Sequence, residues 1–194
     1  MRAHPDLAAA VRKIVDKIDA SIAREYDGLP IRMFIAGDIA VNYFCGSRYT
    51  GDVDASFSKR PLLDFKAMTV DYTRADGTQS FLYLDPNYST SFALLHEDFE
   101  DDAVEWSGLG NEGRRVHAFV LAPVDLAVSK IARFSAQDRD DVLSLAKHGL
   151  VSSDSLRRRA VHALGNFIGD TRPARANIET ICLQIDRLKP RSPR

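Results

Sequence analysis

No apolar stretch in the 194 residues approaches the roughly 20 that a membrane-crossing helix needs. The N-terminal stretch through Asp19 interleaves charge with apolar residues, unlike a secretory signal, so a cytoplasmic protein without a membrane partner is expected. Cysteine is scarce: Cys45 and Cys182 stand far apart in apolar surroundings and read as reduced thiols. The five histidines lack Cys/His ligand spacing, which argues against a zinc site. Net charge is only −1, so the total implies no general affinity for nucleic acid. Internal repeats and low-complexity segments are missing too, which removes solenoid and linker-like architectures. The Asn87-Tyr88-Ser89 triplet, without a secretory context, reads as a turn and not a glycosylation site.

What is present is an ordinary globular balance, with 45% hydrophobic and 27% charged residues. The length suits one sizeable core with a small helical appendage. Charge is unevenly distributed. Residues 155–194 hold nine Lys/Arg against three acids, whereas residues 97–105 hold six acids and no base. Both runs have a plain reading as solvated surface.

Leu7, Val11, Ile14, Val15, Ile18 and Ile22 recur at helical steps and predict an amphipathic helix that stops near Asp27-Gly28-Leu29-Pro30. A short apolar strand at 31–36, a break at Gly37 and a helix at 38–44 follow. Residues 52–57 alternate with period two and suit a strand with Val53, Ala55 and Phe57 inward. Next come a helix at 61–68, strands at 81–84 and 91–95 paired as a hairpin, and a strand at 116–121. Helices are predicted at 124–135, opened by Pro123, and at 138–147, 155–168 and 178–188. The expected fold class is mixed α/β: a mixed central sheet covered by helices over residues 1–122, with a C-terminal helical segment over 123–194. The Gly108-Leu109-Gly110-Asn111-Glu112-Gly113 string fits a dinucleotide-binding pattern, but a strand and not a helix follows it, so a hairpin loop is expected.

Asp52 and Asp54 lie two apart on a predicted strand and leave its same face. Two ionised carboxylates held together repel unless a divalent cation relieves the cost. Magnesium, or manganese in its place, prefers carboxylate, phosphate and water oxygens, so two aspartates and a nucleotide triphosphate complete its shell. Upstream, Gly37 sits between a buried strand and a helix N-terminus, where free amides and the helix dipole attract phosphate.

The string Phe34-Ile35-Ala36-Gly37-Asp38, then Arg48-Tyr49-Thr50-Gly51-Asp52-Val53-Asp54, resembles the nucleotidyltransferase superfamily. Arg48, Thr50, Asp52 and Asp54 match the Arg-x-Thr-x-Asp-x-Asp of the AbiEii-like bacterial toxins. Asp125-Leu126-Ala127-Val128-Ser129-Lys130, followed by Arg139-Asp140, matches a second string of those relatives. The resemblance implies that Asp52 and Asp54 bind metal, that Gly37 and the amides after it cradle the triphosphate, and that Arg48 and Lys130 neutralise phosphate charge. Thr50 falls within the same nucleotide-binding string, and Asp140 becomes a second acidic element of the site. Plainer readings stand beside these: Arg48 anchoring a loop, Lys130 covering the core with its stem, Asp140 opening a helix. Asp38 departs from the family, which has glycine or serine there; its simplest role is a helix N-cap. A third carboxylate, common in the superfamily, has Asp85 and Asp98 as candidates, while His96 and His117 read as structural or surface residues. The activity implied is metal-dependent transfer of a nucleotide monophosphate from an NTP to RNA, with tRNA as the specific acceptor and a cognate antitoxin as partner. Alternatives are transfer to a small aminoglycoside-type hydroxyl compound, or a non-catalytic binding module of the same fold.

Overall fold

A computed structural model describes residues 3–23, 28–167 and 169–188. Asp27 of the predicted stop, Ile168 and the basic residues Lys189, Arg191 and Arg194 lie outside the described residues. The chain divides into two compact units: Met1–Ser89 with Asp102–Leu121, and Thr90–Asp101 with Ala122–Arg194.

In the first unit, α1 (Pro5–Ser21) buries Leu7, Ala10, Val11, Ile14, Val15 and Ile18 on one stripe. The helix ends before Gly28 because Ile22 turns extended. There the Asp19 carboxylate accepts the Arg115 and Val116 amides at 2.7 and 2.9 Å, tying the helix end to a strand. The strands of this unit form two sheets, where one was expected. The four-stranded sheet has the order β3 (Ala55–Phe57), β1 (Ile31–Ile35), β7 (Val116–Val120), β6 (Val104–Glu105). The three-stranded sheet has the order β2 (Asp52–Val53), β5 (Gln79–Leu84), β4 (Thr69–Thr73). Between β1 and β2 comes α2 (Gly37–Cys45), closed by Gly46 in the left-handed conformation. β1 is central, parallel to β7 and antiparallel to β3, and its Met33, Phe34 and Ile35 are fully buried, as an apolar run with both faces covered requires.

The predicted strand at 52–57 is interrupted. Its first half pairs parallel with β5 and its second half antiparallel with β1. Asp54 lies at the changeover: the carbonyl before it, Val53, accepts from Asp85 at 3.0 Å, and its own carbonyl accepts from Ala36 at 2.8 Å. Residues 61–68 are irregular with a turn, not a helix: Met68 is buried but Leu62 is 98% exposed, so the apolar spacing forms no buried helical face. The antiparallel partner of β5 is β4, not residues 91–95, which begin within a 3-10 turn at Thr90–Phe92 and form no strand. Val70, Tyr72, Leu82 and Leu84 point from this hairpin toward α1 and are buried. The glycine-rich residues 108–113 form the expected loop, joining the antiparallel β6 and β7.

The second unit holds α3 (Pro123–Ser129), α4 (Ala136–Lys147), α5 (Ser153–Ala163) and α6 (Arg172–Leu188). α3 stops early because Ser135 opens a new helix: its hydroxyl accepts the Asp138 amide and the Asp138 carboxylate accepts the Ser135 amide, a reciprocal capping box. α5 is opened by Ser152 in the same way. Asp125, fully buried on α3, takes a bidentate pair of hydrogen bonds from Arg159 of α5 at 2.7 and 2.8 Å. Among the described residues no helix is long and apolar enough to cross a membrane.

Candidate active site

The carboxylate strand and the glycine turn meet. Gly37 has φ +59°, and a Cβ built on it would fall inside the Asp54 carboxylate. Hydrogen at this position is therefore what lets the acid lie against the head of α2. The helical ladder of α2 opens with the bond from Ala40 N–H to Ala36 O at 3.2 Å, so the amides of Gly37, Asp38 and Ile39 precede it. Asp52 is held by its neighbour, since the Thr50 hydroxyl donates to Asp52 Oδ1.

The register of β2 on β5 sets Asp52 opposite Tyr83 and Val53 opposite Leu84, and Asp85 follows at the end of β5 with its amide donating to the Val53 carbonyl. Electrostatics agree with that placement. The Tyr83 phenol is raised above its ordinary value first by burial and then by the charges of Asp52, Asp85 and Asp54. Tyr88 is pushed up as well, by burial first and then by Asp54. Asp85 Oδ1 accepts the Asn87 amide at 2.8 Å, which fixes the loop after the strand. The other third-acid candidate, Asp98, belongs to the second unit, where its amide donates to His96 Nδ1 at 3.1 Å and its own carboxylate is mostly exposed. His96 itself is buried and stacks on His162, with ring centroids 4.4 Å apart.

Asp38 does not cap α2. Ala36 occupies the N-cap position without a side-chain bond, and Asp38 sits inside the first turn, where its Oδ1 meets Arg48 NH2 at 3.0 Å. The loop that carries Arg48 is fastened from several sides. Buried Asn42 donates to the carbonyls of Ser47 and Arg48 at 2.7 and 3.3 Å. Tyr49 donates to Asp6 at 2.8 Å, stacks on His4 and lies under the Arg74 guanidinium. Asn42 and Tyr49 are positioning residues that the sequence did not mark: Asn42 acts on the backbone carbonyls of Ser47 and Arg48, and Tyr49 through its contact with Asp6 across 43 residues.

Lys130 and Asp140 belong to the second unit. Lys130 is buried, and its ammonium pairs with Asp141 at 2.6 Å and Asp138 at 3.8 Å. Asp138 and Asp141, three apart on α4, share the inward face, whereas Asp140 is rotated out and exposed. The acidic partners of Lys130 are thus Asp138 and Asp141, not Asp140. Arg133 adds a bidentate pair to Asp138 at 2.8 and 2.6 Å. Burial opposes the charge on Asp138, but these bonds and those from Ser135 outweigh it and hold its carboxyl down at about 2.

No group of three His, Cys, Asp or Glu side chains among the described residues closes around a metal ion. A two-carboxylate platform is another matter. Asp52 and Asp54 offer hard oxygens, with the Asp54 carboxylate packed against Gly37, and two carboxylates are a donor set that suits a magnesium-type ion sharing phosphate and water oxygens.

A family model described as "Nucleotidyltransferase of unknown function (DUF6036)" matches residues 17–179. No curated protein and no solved structure matches the chain.

Proposed function

Since the chain belongs to the DUF6036 family of nucleotidyltransferases of unknown function, we propose that it transfers a nucleotide monophosphate from an NTP to an acceptor hydroxyl, using Asp52 and Asp54 with Mg2+ or Mn2+. The single observation that carries this reading is the approach of the Asp54 carboxylate to Gly37, which sets one of the two proposed metal ligands at the head of α2. When bound, a divalent ion offsets the charge that builds on the α-phosphoryl group during in-line transfer. Thr50 keeps the Asp52 carboxylate oriented. The Gly37 turn and Arg48 receive the phosphates. In the transfer, the acceptor oxygen bonds to the α-phosphorus and the α–β bridging bond breaks, its electron pair leaving with pyrophosphate. The hydroxyl proton passes to Asp85, the carboxylate that follows β5 and acts with Asp52 and Asp54 on the Tyr83 phenol.

In the AbiEii-like form of this reading the acceptor is RNA, with tRNA the specific candidate and a cognate antitoxin the neutralising partner. A second acceptor class has an observation of its own in favour. The solvent face of the three-stranded sheet carries Asp52, Asp71, Phe81 and Tyr83, and β2, β4 and β5 contain no lysine or arginine. Carboxylates and aromatic faces together suit a small acceptor bearing ammonium groups. Purified protein incubated with Mg2+, labelled NTPs and either total RNA or an amino sugar tests both. Label should enter one acceptor with the natural protein and fall at least about a hundredfold with Asp52→Ala/Asp54→Ala. Equal labelling by both proteins would remove the proposal.

A further inference from the structure

The Asp38–Arg48 pair joins two groups that the proposed phosphate site would need apart. Arg48 is the cation nearest in sequence to the proposed metal-binding acids, and its side chain is 39% exposed. Its loop is not loose, because Asn42 and Tyr49 hold the backbone on either side. Asp38, 18% exposed, sits in the first turn of a nine-residue helix, on the same few residues whose amides would face phosphate. A carboxylate there offers the helix head and the guanidinium what a phosphate offers: negative oxygen at hydrogen-bonding distance. The two anions cannot take the same guanidinium without repelling each other.

We infer that Asp38 is a built-in competitor for nucleotide phosphate: the Asp38–Arg48 pair must part for a triphosphate to bind, and Asp38 thereby lowers the affinity of the site. This rests on the nucleotide-binding reading above. The opposite role is physically simple. If Asp38 only positioned Arg48 for the ligand, removing it would weaken binding. The two roles differ in sign. A partly exposed ion pair holds weakly, so the pair yields to a ligand and the residual repulsion sets the outcome.

Calorimetric titration of the natural protein, Asp38→Ser, Asp38→Asn and Asp38→Glu with each of the four Mg·NTPs tests this, with thermal unfolding to confirm that each variant is folded. Asp38→Ser and Asp38→Asn should bind the preferred nucleotide about tenfold more tightly than the natural protein, and Asp38→Glu should stay near it. Arg48→Ala should weaken binding, and Asp38→Ser/Arg48→Ala should forfeit most of the gain of Asp38→Ser, because the gain requires a released guanidinium. Equal or weaker binding by both neutral variants overturns the competitor role while leaving nucleotide binding intact. Absence of heat from the natural protein and all folded variants alike overturns the nucleotide-binding reading and the competitor role with it.

Discussion

Gly37 has φ +59°, a conformation that costs an L-residue roughly 1–2 kcal/mol. That strain alone is tolerable. The collision with Asp54 is not, because the nearest atoms to an added Cβ are the carboxylate itself, and the carboxylate must swing away from the helix head to make room. Gly37→Ala is therefore expected to cut transfer and Mg2+-dependent nucleotide binding by about a hundredfold or more, since displacements near 1 Å at a reacting centre already cost that much. Its unfolding midpoint should fall by only a few degrees, roughly the equivalent of the backbone strain. Full activity in a folded Gly37→Ala protein would separate Asp54 from the chemistry. Gly37 and the two acids were legible in the sequence, because a glycine between an apolar strand and a helix, and two acids at period two, are local patterns. The Asp38–Arg48 pair was not: residue preference favours Asp as an N-cap, and only the path of the loop after Gly46 brings Arg48 back to it.

The string Asp125 to Lys130 and the Arg139-Asp140 pair after it resolve at the level of elements. Asp125 joins α3 to α5 through Arg159, and Lys130 and Arg133 join the end of α3 to the start of α4 through Asp138 and Asp141. Each acid is buried and each is met by a cation, so these residues organise the helices of the second unit. Asp138 makes the consequence measurable. Its carboxyl is depressed to about 2 from an ordinary value of 3.8, so it favours the folded state, fully above pH 4, and that contribution disappears as pH falls through the folded value. Asp138→Asn should be less stable by about 2–3 kcal/mol at pH 7, with the gap to the natural protein narrowing as pH drops from 4 toward 2. Denaturant unfolding at several pH values checks this. A gap that stays constant with pH would mean that packing, not charge, supplies the difference. Residues 61–68 and 69–73 show why element boundaries escaped the sequence. Helical apolar spacing at 61–68 was the stronger local signal, yet Leu62 faces solvent. The alternation Thr69-Val70-Asp71-Tyr72-Thr73, closed by a turn at Asp76-Gly77, was present, and its buried Val70 and Tyr72 confirm β4.

For the molecule as a whole, total charge decided little, since −1 is compatible with either acceptor class. Distribution is more telling, and it became readable only once β4 was paired with β5. That register sets Asp71 opposite Phe81 and Thr69 opposite Tyr83 on the solvent face, so the exposed Phe81 ring and the exposed Asp71 stand in the row next to the one, Thr69–Tyr83–Asp52, that ends at Asp52. The Phe81 and Tyr83 rings stack with centroids 6.3 Å apart, forming one apolar surface. An RNA acceptor and an ammonium-bearing acceptor would feel this face with opposite sign. Asp71→Lys tests it without touching the core, because position 71 is exposed and Val70 and Tyr72 carry the packing on either side. An exposed charge reversal of this kind should leave the unfolding midpoint nearly unchanged. If the acceptor carries amino groups, its apparent KM should rise by about three- to tenfold in Asp71→Lys, and added salt should shrink the difference. For RNA the same variant should lower the apparent KM, again less so at high salt. A KM that does not move for either acceptor would show that the acceptor approaches from elsewhere, and would detach the aromatic row from the reaction.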